Sequence, residues 1–251
     1  MSNLIRGEFY KLRKSKYFIG IILLTLFVSY FLLIHFYATV TSVGNLSLEL
    51  QNGMYSIEYA FEYIPLTSFI FSLFAGEFVA KDLKNNMSKS FTYGYKRSKV
   101  ILSKLIVFII SFLFLELIYI TILVIHTSIA YGFYKVLNYS TILYLIRLVV
   151  IGIMYNVATM SIVFMIAIIT KSNVCAVISP SLFMLAITVV FNCKSPIPSI
   201  VSFVFPFIVG ERALVRFAPK LDIIIAIISS VVIFTITTLI SLLYVKHKDI
   251  K

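Results

Sequence analysis

The sequence of 251 residues has no tryptophan, only two cysteines and few charged side chains, which make up 13% of the chain. A soluble domain of this size needs a polar exterior, and a chain with a mean hydropathy of +1.03 cannot supply one. The scarcity of charge therefore excludes a soluble globular protein. It indicates an integral membrane protein.

The two cysteines are too far apart for an internal disulfide. Cys175 and Cys193 bracket one apolar segment, which as a helix would separate them by roughly 27 Å. A disulfide requires Cα atoms about 4.4–6.8 Å apart. The sequence therefore predicts no disulfide.

Motifs for catalysis and for nucleotide binding are absent from the sequence. It contains no His-Glu-x-x-His, no Gly-x-Ser-x-Gly and no pair of aspartates spaced to hold a catalytic metal. Its glycines form no Gly-x-x-x-x-Gly-Lys-Ser/Thr loop that would cradle ATP phosphates. We therefore expect this chain to be no enzyme and to bind no metal or cofactor of its own.

Long apolar runs account for most of the sequence. A bilayer core of about 30 Å requires roughly 20 apolar residues in a helix. We predict an all-α integral membrane protein, a single transmembrane domain over residues 1–251, whose six spans lie at about Tyr17–Val40, Tyr63–Ala80, Ser103–Ile125, Leu148–Ile169, Val174–Phe191 and Leu221–Val245. A shorter apolar run, Ser199–Val209, carries Pro206 and predicts a re-entrant or interfacial piece between the last two spans.

The formal net charge of +12 is distributed unevenly between the predicted loops. If both termini are cytoplasmic, sixteen Lys and Arg residues lie inside and six lie outside, while the first outer loop carries Glu49 and Glu58 and no cation. Cytoplasmic loops of membrane proteins carry such an excess. The charge therefore predicts cytoplasmic termini rather than a nucleic-acid site. A seventh span, which would export the basic C-terminus, is the alternative.

The N-terminal residues 1–16 have the pattern of an amphipathic helix. Four apolar residues share one face of a helical wheel, namely Leu4, Ile5, Phe9 and Leu12. Glu8 falls on the same side. We predict an interfacial helix that lies in the membrane plane. The alternative is a basic flank that only fixes the topology.

Residues 76–104 hold seven of the 22 Lys and Arg residues. This stretch is longer than a connection between neighbouring spans requires. A short helix there would expose Met87, Phe91 and Tyr93 within a charged rim, a pattern typical of protein-docking surfaces. The alternative is a solvated basic loop.

Two stretches resemble the ABC-2 type membrane permeases. GEFYKLRKSKYF (7–18) resembles the start of these proteins, and GEFVAKDLKNNMSKSFTYGYKRSKVILSKLI (76–106) resembles their segment between spans two and three. Glu77, Asn85–Asn86, Lys96–Arg97–Ser98 and Lys104 occupy the matching places. Asn-Met stands where the family usually has Gly-Thr, and no proline precedes the basic pair. The sequence YGYKRSKVILSKLI most resembles that of small bacterial permeases for peptide export and for lantibiotic or bacitracin-type self-protection.

The resemblance implies that transport and ATP hydrolysis are carried out by different subunits. Two permeases, expected to be a homodimer, would pair with two copies of a separate subunit that binds ATP and Mg²⁺, and would export amphipathic, antimicrobial or toxin peptides from a bacterial cell membrane. Residues 1–16 would be the elbow helix, and Ser199–Val209 a short extracellular helix. The coupling helix that docks on the ATPase would include Glu77, Asp82, Lys84, Met87, Lys89, Phe91, Tyr93 and Arg97.

Three further residues stand out in or beside the predicted spans. Glu116 lies near the middle of span three, where an ionisable group costs about 2.5–3.5 kcal/mol and marks a pathway or a pair. It is either a protonated acid bonded to a neighbouring helix or the proton or ion site of a secondary transporter. For the function of the whole chain, a further alternative is a structural or immunity protein with no energy-supplying partner. Pro180 is predicted to bend span five and shape a pathway, and Arg147 to reach the lipid headgroups.

Overall fold

A computed structural model describes residues 1–42, 52–85, 95–134, 138–192 and 205–247. These residues form helices and no strands, so the all-α prediction is confirmed. A π-helical turn, Gly76–Lys81, interrupts the α-helices, which are α1 (Ser2–Lys14), α2 (Lys16–Ser42), α3 (Gly53–Glu62), α4 (Ile64–Ala75), α5 (Asp82–Asn85), α6 (Arg97–Tyr131), α7 (Tyr139–Thr170), α8 (Asn173–Asn192), α9 (Pro206–Leu214) and α10 (Lys220–His247).

Four helices are long and apolar enough to cross a membrane: α2, α6, α7 and α10. They correspond to the predicted first, third, fourth and sixth spans, although α6 and α7 extend beyond the predicted ends to 35 and 32 residues. A fifth candidate span joins α3 to Thr67–Lys81 with a bend of 55°. The described residues thus support a multi-pass membrane protein with four or five spans. The count of six stays a prediction.

The fifth predicted span corresponds to α8. This helix contains 20 residues and includes Pro180, which is buried. Its apolar part, counted over the residues whose side chains the structure describes, is Asn173–Leu182, which is too short to cross a bilayer. The crossing at α8 therefore stays a prediction.

A separate helix, α3, precedes the second predicted span. It starts at Gly53, where the side chain of Asn52 accepts a hydrogen bond from the Tyr55 amide at 2.8 Å, which is a typical N-cap. A break then follows at Tyr63, and a proline occupies the first turn of α4, where its missing N–H is tolerated. Glu58 therefore lies in a helix and not, as predicted, in a loop.

The short helix α1 packs against the bundle. Leu12 is buried, and Ile5 and Phe9 are partly buried against the main core, while Leu4 is half-exposed. Glu8 is buried as well. The predicted amphipathic face is therefore the face that α1 turns toward α6.

The interior consists of two apolar clusters. The larger one runs through α2, α4, α6 and α7, and the smaller one joins α3, α7 and α9. Gly152 and Gly210 allow close approach in the smaller cluster. A Cβ atom at Gly152 would lie 2.6 Å from the Phe61 ring, and one at Gly210 would lie 2.5 Å from the Tyr155 ring.

We expect Gly152→Ala to destabilise the folded protein by about 1–3 kcal/mol, because overpacking a closed core forces neighbouring side chains out of place. Phe61 is buried, with 1% of its surface exposed, and its ring would have to shift to admit the added methyl group. The measurement is the midpoint of thermal unfolding in detergent, followed by loss of the monodisperse peak. Gly20→Ala is the matched control, because a Cβ there meets nothing within 4 Å. Equal midpoints for the two variants would contradict the close packing.

Candidate functional site

A buried lysine joins three helices at one end of the bundle. Lys104 of α6 is 1% exposed, and its Nζ lies 2.9 Å from Glu8 Oε2 on α1 and also bonds Asp82 of α5. A buried charge is costly unless it is paired and hydrogen-bonded. The two carboxylates supply that pairing, and we call Glu8, Asp82 and Lys104 the lysine hub.

Lys11 lies on the solvent side of the hub and pairs with both of its carboxylates. Its Nζ lies 3.0 Å from Glu8 Oε1 and 3.7 Å from Asp82 Oδ2. Partial burial lowers the pKa of Lys11, but the carboxylates of Glu8 and Asp82 outweigh burial and raise it. Lys11 therefore stays protonated at neutral pH, and two ammonium groups face two carboxylates.

The π-helical turn leads from the bent span into the hub. Glu77 bonds Lys81 one turn later, and its Oε2 lies 3.5 Å from Asn173 Nδ2 at the start of α8. Gly76 also approaches this residue closely, since a Cβ there would lie 3.2 Å from the Asn173 carbonyl oxygen. Turns of π-helix occur frequently at functional sites. Here the turn is attached to α8 on one side and, through Asp82, to α1 and α6 on the other.

A cavity of about 180 Å³ lies beside the hub, between α1, the first turn of α2, α4 and the π-helical turn. Phe18, Phe74 and Phe78 form its apolar walls, and charged side chains of the hub and the π-helical turn form its rim. Tyr17 donates a hydrogen bond to the Leu73 carbonyl at 3.0 Å and so ties α2 to α4.

The predicted docking residues fall into two groups. Glu77 and Asp82 take part in separate ion pairs, and Arg97 opens α6. The backbone of Lys84 lies in α5, but its side chain is outside the description, and the segment with Met87, Lys89, Phe91 and Tyr93 lies outside the described residues. The docking role of these residues stays a prediction.

A second polar group lies in the middle of the bundle. Glu116 of α6 is 2% exposed, and its Oε1 accepts a hydrogen bond from Asn156 Nδ2 on α7. Two tyrosines flank the pair: Tyr119 donates to the Ala60 carbonyl at 3.2 Å, and Tyr155 to the Phe61 carbonyl. Glu116 therefore has a partner on a neighbouring helix. Asn156 was not predicted from the sequence, because it is an isolated amide within an apolar run.

The opposite end of the bundle is held by α7. Arg147 Nη2 donates to the carbonyls of Val215 and Arg216 at 2.7 and 2.9 Å. The Tyr144 hydroxyl lies 2.7 Å from Glu58 Oε2 and 3.1 Å from the Leu214 carbonyl. These contacts satisfy carbonyl groups where α9 ends. Arg147 therefore caps a neighbouring helix, and its contact with lipid headgroups stays a prediction.

A known protein family matches most of the chain. The model of the ABC-2 family transporter protein matches residues 4–195, which include nearly all of α1 and every element through α8. No curated protein matches the chain.

We expect Lys104→Met to destabilise the protein by about 1–3 kcal/mol, because loss of the buried ammonium group leaves Glu8 and Asp82 with the half-exposed Lys11 as their remaining cation in the hub. The measurement is the thermal midpoint in detergent. Lys99→Met is the matched control, since Lys99 lies on the same helix and is exposed. If the two variants unfold at the same temperature, the lysine hub does not hold α1 and α5 to α6.

Proposed function

The chain belongs to the ABC-2 family of transporter proteins, and we propose that it is the permease of an ATP-driven exporter. Permeases of this family are membrane transport components and are not themselves catalytic, so an ABC ATPase subunit is the implied partner. ATP and Mg²⁺ are proposed to bind that subunit.

The contacts of the lysine hub are the observation that supports this proposal. Asp82 lies at the end of the bent span, immediately before the segment that we propose to dock on the ATPase. Through Lys104 it is bonded to α6, and through the same ammonium group α6 is bonded to α1. A displacement of the docking segment would therefore move α1 and α6 together.

The proposed assembly contains two permeases and two ATPase subunits. In it, α1 is the elbow helix, and Glu77, Asp82 and Arg97 border a coupling helix whose apolar anchors are Met87, Phe91 and Tyr93. A homodimer is the simplest arrangement for a single permease chain. We propose that Glu116 is not part of a proton-coupled secondary transporter, which family membership does not favour.

The proposed cargo is an amphipathic or antimicrobial peptide that moves out of the cell or out of the membrane. Charged residues of the described spans are few, and the long helices expose mainly apolar side chains, among them Phe27, Leu117 and Leu243. Such surfaces suit a cargo already dissolved in lipid. The cargo would serve either toxin secretion or self-protection, and the same chemistry fits both.

We expect Phe91→Ala combined with Tyr93→Ala to reduce ATPase association and peptide-stimulated ATP turnover together, each severalfold, because aromatic anchors dominate docking energies. The measurements are co-purification with the ATPase and ATP turnover in vesicles that contain both subunits. Phe217→Ala is the control, since Phe217 is 88% exposed at the opposite end of the bundle. Full association of the double variant would remove the docking assignment.

We also propose that both termini and residues 76–104 face the cytoplasm of a bacterial cell. In a background with Cys175→Ser and Cys193→Ser, a thiol introduced as Ser98→Cys should react with a membrane-impermeant reagent only after the cells are opened. A thiol introduced as Asn138→Cys, at the opposite end of α6 and α7, should react on intact cells. The reverse pattern would overturn the orientation and, with it, the docking proposal.

A further inference from the structure

We propose that the carboxyl group of Glu116 is protonated and forms two hydrogen bonds with the side-chain amide of Asn156. This acid–amide pair joins α6 to α7. The inference concerns the free carboxyl oxygen of Glu116 and the free amide oxygen of Asn156. It holds whether or not the chain works with an ATPase.

The polar atoms of the two side chains show where the proton belongs. Asn156 Nδ2 donates to Glu116 Oε1. Glu116 Oε2 and Asn156 Oδ1 are both buried, and neither has a hydrogen-bond partner among the described residues. Both are acceptors when the acid is ionised. A single proton on Oε2, donated to Oδ1, satisfies both oxygens and closes a ring with two hydrogen bonds.

The neighbouring groups offer no other way to satisfy the acid. The hydroxyls of Tyr119 and Tyr155 already donate to backbone carbonyls of α3. Among the described residues, no Lys, Arg or His lies within ion-pair distance of Glu116.

The neutral form has a structural consequence. A carboxylate in the centre of a span must be paired or must face water, whereas the acid–amide pair is neutral and leaves no donor or acceptor open. The pair joins two of the longest helices near their middle. We infer that Glu116 is a positioning residue, which joins α6 to α7 at this depth, rather than a transport site.

Replacement of Glu116 with glutamine tests whether its carboxyl group is protonated. The amide of Glu116→Gln can donate to Asn156 Oδ1 and accept from Asn156 Nδ2, so it reproduces the ring of the protonated acid. We expect this variant to keep the parent's thermal midpoint between about pH 5 and pH 9, where the reference acid would be ionised. Glu116→Leu and Asn156→Leu should each lower the midpoint, because each leaves one buried polar group without a partner.

The double variant, Glu116→Leu with Asn156→Leu, should recover most of the loss, because replacing both partners of a buried hydrogen bond is close to neutral. If Glu116→Gln lowers the midpoint as much as Glu116→Leu, the acid is ionised and the proposal fails. The same conclusion follows if the double variant loses the sum of the two single losses.

Infrared spectroscopy gives a readout that does not depend on how well the leucine variants fold. The parent at neutral pH should show the C=O stretching band of a protonated carboxylic acid, and this band should be missing from Glu116→Gln in the difference spectrum. Loss of carboxylate bands in that difference spectrum, with no acid band, would overturn the proposal. Glu62→Gln is the control, since Glu62 is exposed and should leave the Glu116 band in place.

Discussion

Polar groups that leave water inside a membrane protein must find their partners within the chain, and this requirement determines where the helices of this bundle are joined. Lipid offers no hydrogen bonds, so an unpaired polar group costs several kcal/mol there. Apolar packing alone distinguishes poorly between one helix face and another, because lipid tails are as apolar as the side chains. The few polar side chains of this chain therefore fix which helices touch and at what depth.

Three of the polar contacts that join helices lie at different levels along α6 and α7. At one end, Lys104 pairs with Glu8 and Asp82; in the middle, Glu116 meets Asn156; at the other end, Arg147 caps α9. The two end contacts hold short helices and the middle one holds two long helices. The short helices α1 and α5 are thus attached to α6, and α9 to α7, by polar contacts.

The sequence was informative about the long helices and less so about the contacts between them. Hydropathy predicted α2, α6, α7 and α10, because a span must be apolar over its whole length. The amphipathic face of α1 was also predicted, but the buried ion pair of Glu8, which falls on that face, was not. Its partner Lys104 lies 96 positions along the chain, and no local pattern connects them. The bend before α4 and the capping role of Arg147 likewise depend on helices that are distant in sequence.

The position of the π-helical turn explains how a chain without nucleotide-binding motifs could be driven by a neighbour. Residues 76–85 leave the bent span and are attached to α8 through Glu77 and Asn173, and to α1 and α6 through Asp82 and Lys104. A push on the segment that follows is therefore shared among three helices rather than absorbed by one loop. In the proposed mechanism, the chain would bend where it is already irregular, at the π-helical turn and at the 55° bend between α3 and Thr67. A displacement of the docking segment would then change the angle between α3 and α4.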